Sequence, residues 1–136
     1  MIVVDASLIV ALILREDNVA DPASIYDLLR TTQIGVPAHW TAEVANALWT
    51  NKQHGRITAE MVSTAVEYLV TFKPIIDAAP SIERLPALVQ FAEREKLTVY
   101  DAIYVQLALS TNSSLATIDG DVRDCAQRLG IPLIPA

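Results

Sequence analysis

The sequence predicts an α/β protein, a three-layer sandwich in which helices cover both faces of a parallel sheet. Short apolar segments that read as strands alternate along the chain with longer segments whose apolar residues repeat at helical spacing. The strand candidates, such as IVV near the start and LATI further on, are apolar throughout, as is usual for parallel strands buried on both faces. No repeat, linker or low-complexity segment interrupts this alternation. We therefore expect a single domain.

Length and composition fit that expectation. The chain has 136 residues, of which 52% are hydrophobic, and this is enough for one core within residues 1–136. The formal net charge is -6 and the pI is about 4.7. Proteins that bind nucleic acid by general electrostatic attraction normally present a basic face. A nucleic-acid substrate would therefore need a metal ion or a local basic groove for its binding.

The apolar first segment, MIVVDASLIVALILR, matches neither a signal peptide nor a membrane helix. No basic residue precedes it, Asp5 and Ser7 interrupt it, and its longest unbroken run, Leu8–Leu14, is far shorter than the roughly 20 residues that span a bilayer. The single cysteine, Cys125, cannot form an internal disulfide and is interpreted as a small core residue in an amphipathic pattern. We expect a cytoplasmic protein without a membrane segment.

The first elements follow from local pattern. The β-branched run Ile2–Val4 predicts a strand, and the LIVALIL segment after it is apolar nearly all round, which predicts a buried central helix. Asp21 followed by Pro22 is typical of a helix start, with an N-cap and a proline in the first turn. This second helix should end before a brief strand at Ile34–Val36.

The middle of the chain predicts two helices, a short strand and another helix. A helix begins near Thr41 and ends at Gly55, a residue typical of a C-cap. Thr58 begins the next amphipathic helix. After it, Pro74–Asp77 is a strand candidate and Ser81–Lys96 a further helix.

The last part repeats the alternation. Thr98 can cap a helix, which is followed by the strand candidate Leu115–Ile118. A helix is then expected over Asp121–Leu129, and Gly130 should stop it. The chain closes with Pro132–Pro135, an edge strand in which prolines are tolerated.

Acidic residues recur where these strands end and helices begin. Asp5 ends the first strand, Glu43 lies in the first turn of the helix after the second strand, Asp101 opens the helix before the fourth strand, and Asp119 ends that strand. In a helix followed by a parallel strand, the helix start and the strand end meet at the carboxyl edge of the sheet. We therefore expect all four carboxylates to converge there.

Each acid also has a structural explanation. Asp5 can cap the first long helix, acids in first helical turns interact favourably with the helix dipole, and Asp119-Gly120 is an ordinary turn pair. The convergence favours a site, because like charges within about 4–6 Å repel unless a cation or a shared proton compensates them. Without metal, at least one of the carboxyl pKa values should therefore be raised.

Other polar residues adjoin this edge. Ser7 and Asn46 can orient the carboxylates or bound water, although Ser7 can equally belong to a cap and Asn46 to a solvated helix face. Asp121 is interpreted first as the N-cap of the last helix, with an auxiliary metal contact as the alternative. A donor set of oxygens alone, without paired cysteine or histidine, indicates Mg²⁺ or Mn²⁺ rather than zinc.

Other catalytic patterns are missing. The glycines cannot form a dinucleotide fingerprint or a phosphate loop, and no G-x-S-x-G motif is present. His39 and His54 lie on the wrong elements for a catalytic role, and His39 is expected beside the site without an assigned role. His54 is interpreted as a partner of the helix dipole, with phosphate contact as the alternative. Trp40 and Trp49 are assigned to the core or to a subunit contact.

The motifs IVVDAS, VPAHWTAEVANAL, TVYDAIYVQLA and LATID, with the final PLIP strand, resemble those of the PIN-domain ribonucleases, especially the toxins of bacterial toxin-antitoxin pairs of the VapC type. The resemblance runs the whole length of the chain, and the combination of Asp-x-Ser, Glu-x-x-Asn, Tyr-Asp-Ala and Thr-x-Asp is far more specific than any single piece. It implies a PIN-like fold with a five-stranded parallel sheet. It also implies Mg²⁺ or Mn²⁺ dependence, RNA cleavage, homodimerisation and inhibition by a small antitoxin protein.

By position, the acidic quartet of that family corresponds to Asp5, Glu43, Asp101 and Asp119, and its hydroxyl and amide helpers correspond to Ser7 and Asn46. On this reading Asp5 and Asp101 hold the main ion and Asp119 completes the site. Glu43 orients the attacking water or binds a second ion.

Two alternatives remain open at this point. A phosphoacceptor receiver domain also groups acids around Mg²⁺, and Asp77 resembles its acceptor. Against it, the first strand supplies one acid instead of an adjacent pair, and no lysine follows Lys96. The second alternative is a PIN-like binding module without catalytic activity. RNA cleavage measured with and without metal separates all three.

Overall fold

A computed structural model describes all of residues 1–136, and it contains one five-stranded sheet and seven α-helices. Every strand pair is parallel, and the strand order is β3-β2-β1-β4-β5. This confirms the predicted five-stranded parallel α/β fold. The strands are β1 Ile2–Val4, β2 Ile34–Val36, β3 Ile75–Ile76, β4 Ser114–Ala116 and β5 Leu133–Ile134. The helices are α1 Ala6–Ile13, α2 Pro22–Thr31, α3 Trp40–Gln53, α4 Ala59–Thr71, α5 Leu85–Glu95, α6 Val99–Ser110 and α7 Gly120–Arg128.

The centre of the sheet is formed by the first strand of the chain. β1 pairs with β2 on one side and with β4 on the other, so the strand order reverses beside it. In open parallel sheets, such a reversal leaves a crevice at the carboxyl ends of the strands. Val4 is in register with Ala116, and the amide N–H of Asp5 donates to the Ala116 carbonyl at 2.9 Å. Asp5 and Thr117 therefore leave the sheet side by side at this crevice.

The core explains why the strands are so apolar. β1 and β2 are buried along their whole length, and α1 buries most of its residues, as its nearly uniform apolar sequence predicts. A single cluster of 30 buried residues joins both faces of the sheet. Cys125 belongs to this cluster, which confirms its assignment to the core, and Trp40 belongs to it as well, whereas Trp49 is exposed. No helix combines the length and the apolar character needed to traverse a bilayer.

Several predicted boundaries are corrected by the structure. The segment expected to form one helix over residues 81–96 contains a 3-10 turn, Ile82–Arg84, before α5 begins at Leu85. Pro86 accounts for the break, because it lacks the N–H that would bond to the Ile82 carbonyl in a continuous α-helix. β4 also begins at Ser114 and ends at Ala116, so it is offset from the predicted strand Leu115–Ile118.

The start of the last helix was predicted at the wrong acid. Asp119, not Asp121, is the N-cap of α7: its backbone is extended, and its Oδ1 accepts the N–H of Val122 at 3.0 Å. Both acids are suitable cap residues by type, but Asp121 already lies inside the first helical turn. The N-terminal boundary of α2 is as predicted, although Asp21 adopts φ 49° and its side chain makes no capping hydrogen bond.

Candidate active site

The four acidic residues predicted to converge border one cavity at the carboxyl edge of the sheet. The cavity measures about 440 Å³, and its lining includes Asp5, Glu43, Asp101 and Asp119. Ser7 also borders it, together with Glu16, Asn18 and Asn51. The topology brings these acids together from residues that are far apart in the chain, because each lies just beyond a strand or in the first turn of a helix at the same edge.

Asp5 is the most buried of these acids, with 5% of its surface exposed. Its Oδ1 accepts the backbone N–H of Ser7 at 3.2 Å, and its Oδ2 accepts the hydroxyls of Ser7 at 3.0 Å and Thr117 at 2.7 Å. A buried carboxylate needs such donors to compensate for the water that it has lost. The contact with the Ser7 amide also makes Asp5 the N-cap of α1, so the capping explanation and a place in the site both apply to this residue.

Thr117 links the acids that follow the two central strands. Its side chain is fully buried, and its hydroxyl donates to Asp5 while accepting the backbone N–H of Asp119 at 3.1 Å. Sequence reasoning assigned no role to this residue. The signal was present in the Thr-x-Asp spacing, because a hydroxyl two positions before an acid at a strand end can accept that acid's amide N–H.

Glu43 is held from another helix by a second residue that the sequence did not single out. The hydroxyl of Tyr104 on α6 donates to Glu43 Oε1 at 2.6 Å and accepts the backbone N–H of Ala6 at 3.4 Å. Burial raises the pKa of the Tyr104 phenol far above its ordinary value, and the hydrogen bond to Glu43 and the charge of that residue raise it further. The phenol therefore remains protonated and keeps donating to Glu43.

Among the four acids of the site, Asp101 has a clearly raised pKa. Its pKa is raised to about 6, first by burial and then by the negative charges of Asp119, Asp5 and Glu43. This agrees with the expectation that clustered carboxylates raise at least one pKa. The hydroxyl of Thr98, the predicted N-cap, accepts the backbone N–H of Asp101 at 3.1 Å, so the helix start that presents this acid is capped independently of its side chain.

Two residues predicted to support the site do not border the cavity. Asn46 is exposed on α3 and does not border the cavity, whereas Ala47 and Asn51, four and eight positions after Glu43, line it. Asp121 is exposed and lies in a separate charged depression with Arg94 and Arg128. The one-turn spacing of Asn46 from Glu43 therefore does not bring Asn46 to the cavity.

His39 lies beside the site, as expected, next to Glu43. Its Nε2 is 3.3 Å from Glu43 Oε1, but it is buried without a hydrogen-bond partner. Its ring packs against the rings of Tyr104 and Tyr100, with centroids 5.2 and 5.3 Å apart. His39, which directly precedes α3, therefore lies against Glu43 and two tyrosines of α6.

The donor set fits a hard divalent cation by its chemistry. The cavity offers carboxylate oxygens, which Mg²⁺ and Mn²⁺ prefer. Burial is the main cause of the raised pKa of Asp101, and the repulsion from the other acids, which a cation would relieve, is the second. No three His, Cys, Asp or Glu side chains are grouped closely enough in the structure to hold one ion. Coordination would therefore require the carboxylates to draw closer together.

The chain was compared with known families, proteins and structures. Residues 2–128 match the model of the PIN domain family. The chain is 31% identical over 121 residues to "Ribonuclease VapC3" of Pyrobaculum aerophilum, a match that covers 87% of this chain and 88% of the relative. It is also 31% identical over 118 residues to "Ribonuclease VapC3" of Mycobacterium tuberculosis, covering 87% of this chain and 82% of the relative.

A solved structure agrees with this result. The crystal structure of PAE2754 from Pyrobaculum aerophilum superposes with a TM-score of 0.72 and 26% sequence identity, over 98% of this chain and 83% of that one. The family match covers nearly the whole chain, and the VapC3 relatives match it over most of their length. The chain therefore belongs to the PIN-domain family, among its VapC-type members, as its motifs predicted.

The family match excludes the alternative of a phosphoacceptor receiver domain. The family match is to the PIN domain, and Asp77, the acceptor candidate, is exposed after the edge strand β3 and does not border the acidic cavity. The second alternative, a PIN-like binding module without catalytic activity, has the same fold, so only a measurement of RNA cleavage separates it from an active ribonuclease.

Proposed function

We propose that this protein is a divalent-metal-dependent endoribonuclease that hydrolyses RNA phosphodiester bonds as the toxin of a toxin-antitoxin pair. The observation that carries the proposal is the cavity at the carboxyl edge of the sheet, where Asp5, Glu43, Asp101 and Asp119 meet in a chain of the PIN-domain family. Its relatives named as VapC3 ribonucleases support the RNA substrate and the antitoxin partner.

The acids of the cavity would share the task of holding Mg²⁺ or Mn²⁺. Asp5 and Asp101 would hold the main ion, Asp119 would complete its site, and Glu43 would orient the attacking water or hold a second ion. When bound, such an ion activates water and stabilises the charge that develops on the phosphodiester. The metal identity follows from the preference of these ions for oxygen donors.

The remaining side chains prepare the carboxylates for this task. Ser7 and Thr117 fix the Asp5 carboxylate through hydrogen bonds from their hydroxyls to its Oδ2, and Thr117 also fixes the backbone of Asp119. These contacts hold the acids in place before the substrate arrives, which reduces the reorganisation needed at the reaction step.

RNA binding must overcome the acidic character of the protein. With a net charge of -6, the chain offers little general attraction for a polyanion. We propose that Arg15, Lys52 and Arg56 supply local phosphate contacts, since phosphate contacts from Arg and Lys position nucleic acids on proteins.

We further propose that residues 1–136 act as one cytoplasmic domain that forms a homodimer. One sheet joins strands from Ile2 to Ile134, which supports a single domain. A cytoplasmic location follows from the RNA substrate. Large apolar side chains remain exposed on the isolated chain, including Trp49, Val70 and Ile82 at 59%, 68% and 80%, and these support a subunit contact. A mass that stays monomeric in light scattering at micromolar concentrations would contradict the dimer.

The activity is tested by incubating the purified protein with RNA in Mg²⁺ or Mn²⁺ and in a chelator. We expect internal cleavage only with metal. Cleavage that survives chelation would exclude the proposed chemistry. A protein that binds RNA but does not cut it under any metal condition would instead be the inactive binding module.

A further inference from the structure

The hydroxyl of Tyr104 contacts two acid-bearing segments of the cavity at once. It donates its only proton to Glu43 Oε1 at 2.6 Å, and its oxygen accepts the N–H of Ala6 at 3.4 Å. Ala6 directly follows Asp5 at the end of β1, and Glu43 lies in the first turn of α3. One hydroxyl, used as both donor and acceptor, thus connects two elements that are distant in sequence.

The same residue belongs to the helix that carries a third acid. Asp101 lies in the first turn of α6, and Tyr104 follows three positions later, on nearly the same helix face. Asp101 borders the cavity, whereas Tyr104 is fully buried and does not border it. Tyr104 therefore cannot touch a substrate in the cavity, and its influence must pass through the acids.

Glu43 is the acid that most needs such an anchor. Its side chain is 36% exposed, and a glutamate has more rotatable bonds than an aspartate, so it has many conformations available unless a contact selects one. His39 lies close by but forms no hydrogen bond through Nε2. The bond from Tyr104 engages Oε1 and leaves Oε2 available to the cavity.

We propose that Tyr104 is a positioning residue that fixes the Glu43 carboxylate and ties α6 to the start of α1, so that Glu43, Asp101 and Asp5 face the cavity as one set. This inference rests on the proposed metal-dependent function. Its effect should appear in metal affinity and in turnover, and not in the binding of RNA.

The test compares Tyr104→Phe, which removes only the hydroxyl, with the wild type. We expect Mg²⁺ binding measured by calorimetry to weaken about tenfold or more, as is usual when a partner of a metal ligand is lost. The kcat of RNA cleavage should fall while the KM for RNA stays unchanged. In the metal-free protein, the amide hydrogen of Ala6 should exchange faster with solvent.

Two control variants separate this effect from general destabilisation. Tyr100→Phe removes the hydroxyl of a 62% exposed tyrosine on the same helix and should match the wild type in every readout. Leu29→Ala opens the core at a fully buried position on α2, and should lower the melting temperature without changing Mg²⁺ affinity in the folded protein. A Tyr104→Phe variant with wild-type Mg²⁺ affinity and kcat would overturn the proposal.

A direct measurement on the wild type covers the case in which Tyr104→Phe does not fold. A buried hydroxyl that donates to a carboxylate should give a slowly exchanging proton resonance, which Glu43→Ala abolishes and Tyr100→Phe preserves. Lack of this resonance in the wild type would refute the contact. If the wild type neither binds Mg²⁺ nor cleaves RNA, the proposed function fails, whereas the resonance and the Ala6 exchange still decide whether Tyr104 holds Glu43.

Discussion

The hydroxyl of Thr117 donates a 2.7 Å hydrogen bond to Asp5, a residue 112 positions earlier in the chain. The two residues follow β4 and β1, which are neighbours at the centre of the sheet. Because the same hydroxyl accepts the N–H of Asp119, it joins two acids of the cavity through one buried side chain. Asp5 and Asp119, which are far apart in sequence, are thus linked by hydrogen bonds through Thr117 as well as by the pairing of β1 with β4.

Replacing Thr117 with valine tests this connection. The substitution keeps the shape of the side chain but leaves the buried Asp5 carboxylate without one donor and the Asp119 amide without its acceptor. We expect the free energy of unfolding to fall by about 1–3 kcal/mol, the usual cost of unsatisfied buried polar groups. Urea denaturation measures the change. Thr64→Val, which removes an exposed hydroxyl on α4, should change stability by less than about 0.5 kcal/mol.

Asparagine at Asp5 or at Asp101 should abolish most RNA cleavage. Either substitution removes a negative charge from the cavity while preserving side-chain size. Loss of a residue that supports a metal ligand can lower activity by roughly 100-fold. Because Asp5 and Asp101 are proposed to be ligands themselves, we expect a larger fall in activity for either variant. Circular dichroism should show that both variants are folded. Asp121→Asn is the matched control, because Asp121 is an exposed acid outside the cavity, and it should retain wild-type activity.

The raised pKa of Asp101 predicts a pH dependence of stability without metal. The folded pKa is about 6 and the ordinary value is 3.8, so between these values the unfolded chain releases a proton that the folded protein retains. The penalty is therefore absent below pH 3.8, grows as pH rises and is complete above about pH 6. Its upper limit is about 3 kcal/mol, and solvent screening of this half-buried group should reduce it to about 1 kcal/mol.

Denaturation of Asp101→Asn at several pH values isolates this contribution. The variant should be more stable than the metal-free wild type at pH 7, and the difference should vanish as pH falls toward 4. The capping bond from the Asp101 amide to Thr98 persists in the variant, because it uses only backbone and threonine atoms. A variant that is less stable than the wild type at pH 7 would show that the Asp101 carboxylate mainly supports the helix start.

Divalent metal should stabilise the wild type and not Asp101→Asn. At a Mg²⁺ concentration of a hundred times its dissociation constant, binding to the folded state adds about 2.7 kcal/mol. Thermal melting detects this gain as a rise of several degrees, since about 1 kcal/mol shifts the melting temperature by roughly 3–4 °C in a domain of this size. Sodium chloride at equal ionic strength controls for general screening of the negative protein. An equal response of both proteins would exclude Asp101 as a ligand.

Much of the fold could be predicted because its signals are local. The β-branched run at Ile2–Val4 and the apolar helix after it depend on neighbouring residues, and the cap at Thr98 lies three positions from the amide it binds. A topological rule extends these local signals to the tertiary level, because helix starts and the ends of parallel strands meet at the carboxyl edge of the sheet. From the order of strands and helices, this rule predicts that four acids converge at that edge, namely Asp5, Glu43, Asp101 and Asp119. The structure places all four around one cavity.

What the sequence did not reveal depends on orientation and on distant contacts. Tyr104 is interpreted from sequence as one more core residue of an apolar helix, and only the tertiary fold, in which α6 packs against β1, brings its hydroxyl to Glu43. Asn46 lies one helical turn after Glu43, which suggests a supporting role, but its side chain is exposed and does not border the cavity. Asp119 and Asp121 have equal capping chemistry, and backbone geometry alone distinguishes them.

The central position of β1 has a consequence for synthesis of the protein on the ribosome. β1 is translated before its neighbour β4, whose residues are made more than a hundred positions later. Until then, β1 lacks the neighbour that aligns Asp5 with Thr117, and the last acid of the cavity has not been translated. The nascent chain therefore has no assembled cavity during the translation of the residues between Asp5 and Asp119. The hydrolytic activity that we propose would arise abruptly, once β4 and Asp119 have left the exit tunnel and β4 has paired with β1.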